Sequence, residues 1–215
     1  MKTSFWSFCL IASFAVLFTQ CKKDDNPTPT TSTNYSPLTT GSNWTYNYSE
    51  SGGSPETIKL TVTDRDTSIN GKTYKVLSSS DNSGDNYLAK IDSNYYRFTT
   101  FPGIGDFEEL YLKDNRAVNS TWTNSVPFTL PGTGSFNADL TYTVKEVGIS
   151  RTVNGKEYKD VIHVAVAVNV TLLNFGGGDF YYANNVGLIE SSISLTPPAQ
   201  PVYSSTQQLV SYEIK

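Results

Sequence analysis

Histidine and cysteine are almost missing from this chain: it has one histidine, His163, and two cysteines, Cys9 and Cys21. A lone imidazole removes most zinc sites and most acid–base chemistry built on histidine pairs. No Lys/Arg cluster interrupts a composition of 16 basic and 20 acidic residues, so the electrostatic footprint of a nucleic-acid binder is lacking. No Gly-x-Ser-x-Gly elbow marks an acyl-transfer nucleophile. Almost no stretch shows apolar residues at helical spacing. No catalytic residue, metal site or cofactor is therefore expected, and what remains to be read is address, architecture and surface.

The N-terminal residues read as a targeting segment. Lys2 precedes an apolar run over residues 5–18, too short for the roughly 20 apolar residues that span a bilayer. The run ends at Thr19-Gln20-Cys21 and gives way to Lys22-Lys23-Asp24-Asp25. Leu17-Phe18-Thr19-Gln20-Cys21 resembles the lipobox of bacterial lipoproteins, with Phe18 and Gln20 departing from the common Leu and Gly/Ala. The resemblance implies a signal peptide over 1–20, cleavage before Cys21, and a lipid on that cysteine that anchors the chain to a membrane. The charged stretch after Cys21 is similar to the mature start of Bacteroidetes lipoproteins, where it goes with display on the outer face of the outer membrane; periplasmic retention stays open. Pro27, Pro29 and a series of threonines then make a flexible tether, residues 21–36, with nothing apolar to bury. Cys9 leaves with the signal and Cys21 is lipidated, so the domain, residues 37–215, is expected to fold without a disulfide.

The domain reads as strands throughout. Ile58, Leu60 and Val62 alternate with polar residues, and Asn70-Gly71 follows as a two-residue hairpin turn. The passage over 69–75 matches that over 153–159 at five of seven positions. Each copy is preceded by a Thr-Val pair and a tryptophan (Trp44 or Trp122), and each is followed by an aromatic strand. Two copies of one meander, or convergence on a favoured turn, both explain this. The expected fold is all-β, a single antiparallel barrel-like or sandwich domain. The longest strand, residues 160–172, has Val164, Val166 and Val168 on a bulky face expected to be core. His163, Ala165 and Ala167 lie on a small face expected to curve over packed side chains or a guest molecule. His163 reads as a hydrogen-bonded structural residue rather than a ligand.

Three loops were weighed for chemistry. Asp81 to Asp85 has oxygen atoms at alternate positions, but Asn86 and Asp92 stand where a calcium loop needs Gly and Glu, so it reads as an Asx-rich hairpin loop. Phe101 to Glu109 combines glycines with acids; Glu108 and Glu109 point to opposite faces of a strand, whereas Asp106 and Glu108 share one. Asn174 to Asp179 is glycine-rich and reads as a mobile loop. The candidate ligand contacts are Phe101, Asp106, Glu108, Tyr181 and Tyr182, aromatic faces beside loop acids.

The opening Pro37-Leu38-…-Trp44-Thr45-Tyr46 and the closing Tyr182-Ala183-…-Val186-Gly187-Leu188 are similar to a group of Bacteroidetes lipoproteins that begin and end their domain this way. The resemblance implies an all-β envelope domain and brings no catalytic residues. Two functions follow as expectations: a surface module that binds a ligand such as a glycan, or a structural protein or carrier of an apolar molecule within a curved sheet. An enzyme ranks third.

Overall fold

The structure is a computed structural model that describes residues 33–81, 83–101, 105–130, 134–170, 173–196 and 201–215. Alternating apolar residues give six strands in the first half: β1 (Asn43–Glu50), β2 (Glu56–Ile69), β3 (Lys72–Ser79), β4 (Asp85–Ile91), β5 (Asn94–Phe101) and β6 (Gly105–Lys113). Six more follow: β7 (Thr121–Leu130), β8 (Gly134–Val153), β9 (Lys156–Val170), β10 (Leu173–Ala183), β11 (Gly187–Leu195) and β12 (Tyr203–Glu213). Every hydrogen-bonded neighbour pair is antiparallel, each strand except β6 pairs with the next, and β12 returns to pair with β1. The ladder is interrupted only between β6 and β7, where the edges meet through side chains: the Trp122 indole N–H donates to the Leu110 carbonyl at 2.7 Å. Pro127 lies on β7, and a residue without an N–H is tolerated at such an edge. The result is a nearly closed, all-antiparallel barrel, which resolves the choice between barrel and sandwich.

The two halves repeat one six-strand meander. Asn70 and Gly71 take φ of 50° and 76°, and Asn154 and Gly155 take 48° and 78°, so both hairpins turn through the left-handed region that Asn-Gly favours. The entries to the halves match as well. Gly41 N donates to Val62 O (2.9 Å) and Val62 N to Ser42 O (2.9 Å); Asn119 N donates to Val144 O (2.8 Å) and Val144 N to Ser120 O (3.0 Å). The Thr-Val pairs noted in the sequence thus hold the same position in each half.

A barrel of twelve strands has a wide lumen, and large side chains fill it. Tyr95, Tyr142, Leu77, Leu112, Ile162, Val164, Ile189 and Leu209 are almost wholly buried. Val164 is in the core as expected, but the small face of β9 lies outside the barrel: Ala165 and Ala167 are only half-buried and belong to neither core cluster. The strand curves with its valines on the concave side, so nothing has to fill the space over the alanines.

The glycine-rich passage is not a loop. Gly177 and Gly178 sit within β10, opposite Ala167 and Val166 of β9. A Cβ on Gly177 would stand 1.9 Å from the Val166 carbonyl oxygen, so only glycine admits this close approach. Asn34 and Tyr35, within the stretch that composition gave to the tether, are tied into the barrel. Tyr35 is 5% exposed and its N–H donates to the Tyr95 hydroxyl at 3.1 Å, while Asn34 O accepts the Asn185 N–H at 2.7 Å.

Candidate functional site

Within the barrel lies a cavity of about 150 Å³. Its apolar wall comes from the inward-facing alternation of several strands: Trp44 and Tyr46 of β1, Leu60 of β2, Leu77 of β3, Leu88 of β4, and Phe180 and Tyr182 of β10. Tyr35 and Ser36 of the segment that enters the barrel also line it, as do the amide side chains of Asn86 on β4 and Gln207 on β12. The tryptophan is fixed by its indole N–H, which donates to Val186 O at 2.6 Å, and the Tyr46 hydroxyl donates to Leu188 O at 3.0 Å. Those two donors are spent on the frame, leaving their rings to face the space.

One charged side chain, Arg97 of β5, lines the cavity. Its register partner Glu109 on β6 is 5% exposed and accepts from Arg97 Nε at 2.9 Å and from Nη2, both through Oε2. The other oxygen of Glu109 accepts the Tyr142 hydroxyl proton. Burial works against the guanidinium charge, but the facing Glu109 carboxylate outweighs it and the Arg97 pKa is raised. Burial likewise pushes the phenols up, Tyr111 to about 12, and Tyr182 well above its ordinary value despite the neighbouring Arg97 charge. The cavity therefore holds neutral tyrosines and one ion pair of zero net charge. Glu109 is the buried partner and the Arg97 side chain keeps 40% accessibility, so it is removal of Arg97 that strands a buried charge, at about 3–5 kcal/mol.

Of the five candidate contacts, Tyr182 lines this cavity, its ring 5.6 Å from that of Tyr111. Its neighbour Tyr181 stacks at 4.2 Å on His163 and carries the Arg151 guanidinium 3.4 Å from its ring centre. That pair belongs to the outside of β9 and β10, where the imidazole meets Glu146 at 3.0 Å and Asp179 at 2.7 Å. His163 is thus the hydrogen-bonded structural residue the sequence suggested. Glu108 is engaged by Lys72 Nζ (2.9 Å) and the Tyr74 hydroxyl (2.8 Å), away from Glu109 as strand alternation requires. Asp106 pairs in register with Thr100, and Phe101 ends β5 opposite Gly105. Tyr182, Tyr181 and Glu108 thus stand in three different surroundings. Between β3 and β4, Ser83 N donates to Asp81 Oδ1 at 3.0 Å, the Asx contact expected of a hairpin connection. Cys21, the signal segment and the tether up to residue 32 lie outside the described residues.

Sequence reasoning missed Arg97, Glu109, Tyr46, Tyr111 and Phe180 as a set. The available signal was Glu109, set aside because it cannot act together with Glu108; an acid on the inward face of a strand needs a buried cation. A second concavity, an outer groove of about 450 Å³, is walled by polar side chains including Asn47, Tyr48, Ser49, Thr57, Thr206 and Gln208.

No family model and no curated protein matches the chain. Among solved structures, the chain is similar to a crystal structure described as a "putative lipoprotein" from Parabacteroides distasonis, with 12% sequence identity and a TM-score of 0.48, over 84% of this chain and 99% of that one.

Proposed function

We propose that the chain is a lipid-anchored lipoprotein of the bacterial outer membrane whose barrel receives a small molecule in its lumen. The observation that carries this reading is the cavity walled by Trp44, Tyr46, Leu77, Leu88, Phe180 and Tyr182. Natural interiors are close-packed, and an aromatic-lined space with a single ion pair in its wall has the make-up of a ligand pocket. The anchor rests on the lipobox-like Leu17 to Cys21, and cell-surface display on the charged residues that follow. Binding rather than catalysis is favoured because the lone imidazole is committed to Glu146, Asp179 and Tyr181, on the other side of the sheet.

The anchor is tested in a Bacteroidetes host with labelled fatty acid. Wild type should incorporate label and fractionate with outer membranes; Cys21→Ser should do neither, and a labelled mutant refutes the anchor. The cavity is tested by thermal shift against a panel of small molecules. A bound ligand at about 100 times its Kd adds roughly 2.7 kcal/mol of stability. Leu77→Phe, which fills the space, should abolish every such shift.

A second reading keeps a glycan as ligand, in the outer groove rather than the lumen. The observation in its favour is a wall of hydroxyl and amide groups from Asn47, Ser49, Thr57, Thr206 and Gln208. Glycan-array binding that is lost on Asn47→Ala and unaffected by Leu77→Phe would establish it.

A further inference from the structure

We infer that the lumen takes a small, neutral ring compound bearing one acceptor oxygen, such as a ketone, aldehyde or amide; this rests on the cavity reading above. Size excludes the obvious envelope ligand first. An apolar cavity of roughly 150 Å³ is the size that holds a benzene-like guest, and a phospholipid with two acyl chains is several times larger. The aromatic rings of Trp44, Tyr46, Phe180 and Tyr182 around the space suit a flat, polarisable body.

The donors then select the functional group. Arg97 gives Nε and Nη2 to Glu109, while Nη1 meets no acceptor among the described residues. Its side chain keeps 40% accessibility and stands in the cavity lining, so Nη1 can be reached by a guest or by water. The Tyr182 hydroxyl, on the same wall, also has no hydrogen-bond partner among the described residues. Arg97 Nη1 and the Tyr182 hydroxyl are thus uncommitted donors on this wall, beside the amides of Asn86 and Gln207, and an acceptor oxygen on a guest would pair with them.

Charge sets the last condition. Arg97 and Glu109 already cancel, so a carboxylate guest would leave one uncompensated negative charge in the interior and an ammonium guest one positive charge. A neutral acceptor leaves the pair intact. This distinguishes the site from an anion pocket, in which the arginine would be free.

The test is a two-dimensional NMR titration of the mature chain carrying Cys21→Ser, with four phenyl compounds of similar size: acetophenone, cumene, benzoate and benzylamine. Acetophenone should shift Arg97 side-chain and Tyr182 signals and bind about tenfold more tightly than cumene, the increment of one well-placed hydrogen bond. Benzoate and benzylamine should bind more weakly than acetophenone. Tyr182→Phe should weaken acetophenone several-fold and leave cumene unchanged. Cumene binding as tightly as acetophenone overturns the acceptor requirement while leaving the cavity reading intact. Benzoate or benzylamine binding most tightly overturns neutrality. If none of the four moves a cavity residue, the cavity reading itself fails, and this inference with it.

Discussion

The Glu109 carboxylate accepts the Tyr142 hydroxyl proton across the one interruption in the barrel ladder, the seam between β6 and β7. Tyr142 belongs to β8, so the bond passes inside the edge strand β7, and Trp122, stacked 5.3 Å from Tyr142, ties that edge to Leu110 from the same side. Side chains do here what backbone pairing does elsewhere in the sheet. Tyr142→Phe removes the hydroxyl and keeps the ring, and it should cost about 1–3 kcal/mol, because the Glu109 oxygen is left buried without its donor. Glu109→Ala should also cost about 1–3 kcal/mol, since the buried Tyr142 hydroxyl loses its acceptor while the part-exposed Arg97 side chain can still meet water. Urea midpoints measure both, and amide exchange in β6 and β7 should quicken more than in β11 and β12.

Alkaline pH should unfold the protein well before it strips its arginines. Tyr111, with an ordinary value of 10.0, titrates at about 12 in the fold because burial opposes the phenolate. Tyr46, Tyr142 and Tyr182 are raised for the same first cause. The folded values lie above the unfolded ones, so this stability is fully present below pH 10 and is lost as pH rises through the folded values. Tyr111 alone should contribute a loss on the order of 2 kcal/mol by pH 12. Tyrosinate absorbance and loss of far-ultraviolet signal should appear together; tyrosines that ionise near pH 10 in a still-folded protein would refute the burial.

Two glycines separate local strain from close approach. At Gly155 φ is 78° and a Cβ would meet nothing, so Gly155→Ala should cost about 1–2 kcal/mol from backbone strain alone. At Gly177 a Cβ would sit 1.9 Å from the Val166 carbonyl oxygen, and β9 and β10 must part to admit it. Gly177→Ala should be the more damaging of the two in thermal melts.

The sequence made the strands legible because alternation and the Asn-Gly turns at Asn70 and Asn154 are local signals, and both appear where expected. It also pointed to the repeated meander, since Trp44 and Trp122 recur at the same place in each half. What it could not convey is curvature. Which side of β9 is concave depends on eleven other strands, and the alanine face was therefore assigned inward when it is outward. Glycines within β10 looked like a loop because the requirement they meet, a carbonyl of Val166 pressed close, comes from another strand. The cavity was out of reach for the same reason: Arg97, Glu109 and Tyr142 are brought together by register across the barrel, and no spacing along the chain announces them.

Crystals of the chain held under xenon pressure test most directly whether the lumen is receptive space, because xenon enters dry apolar cavities without needing a specific contact. Xenon density is expected between Leu77, Leu88, Phe180 and Tyr182, and it should vanish in Leu77→Phe with the melting temperature held or raised. A wild-type lumen without xenon, or a Leu77→Phe variant overpacked and destabilised by about 1–3 kcal/mol, would contradict it.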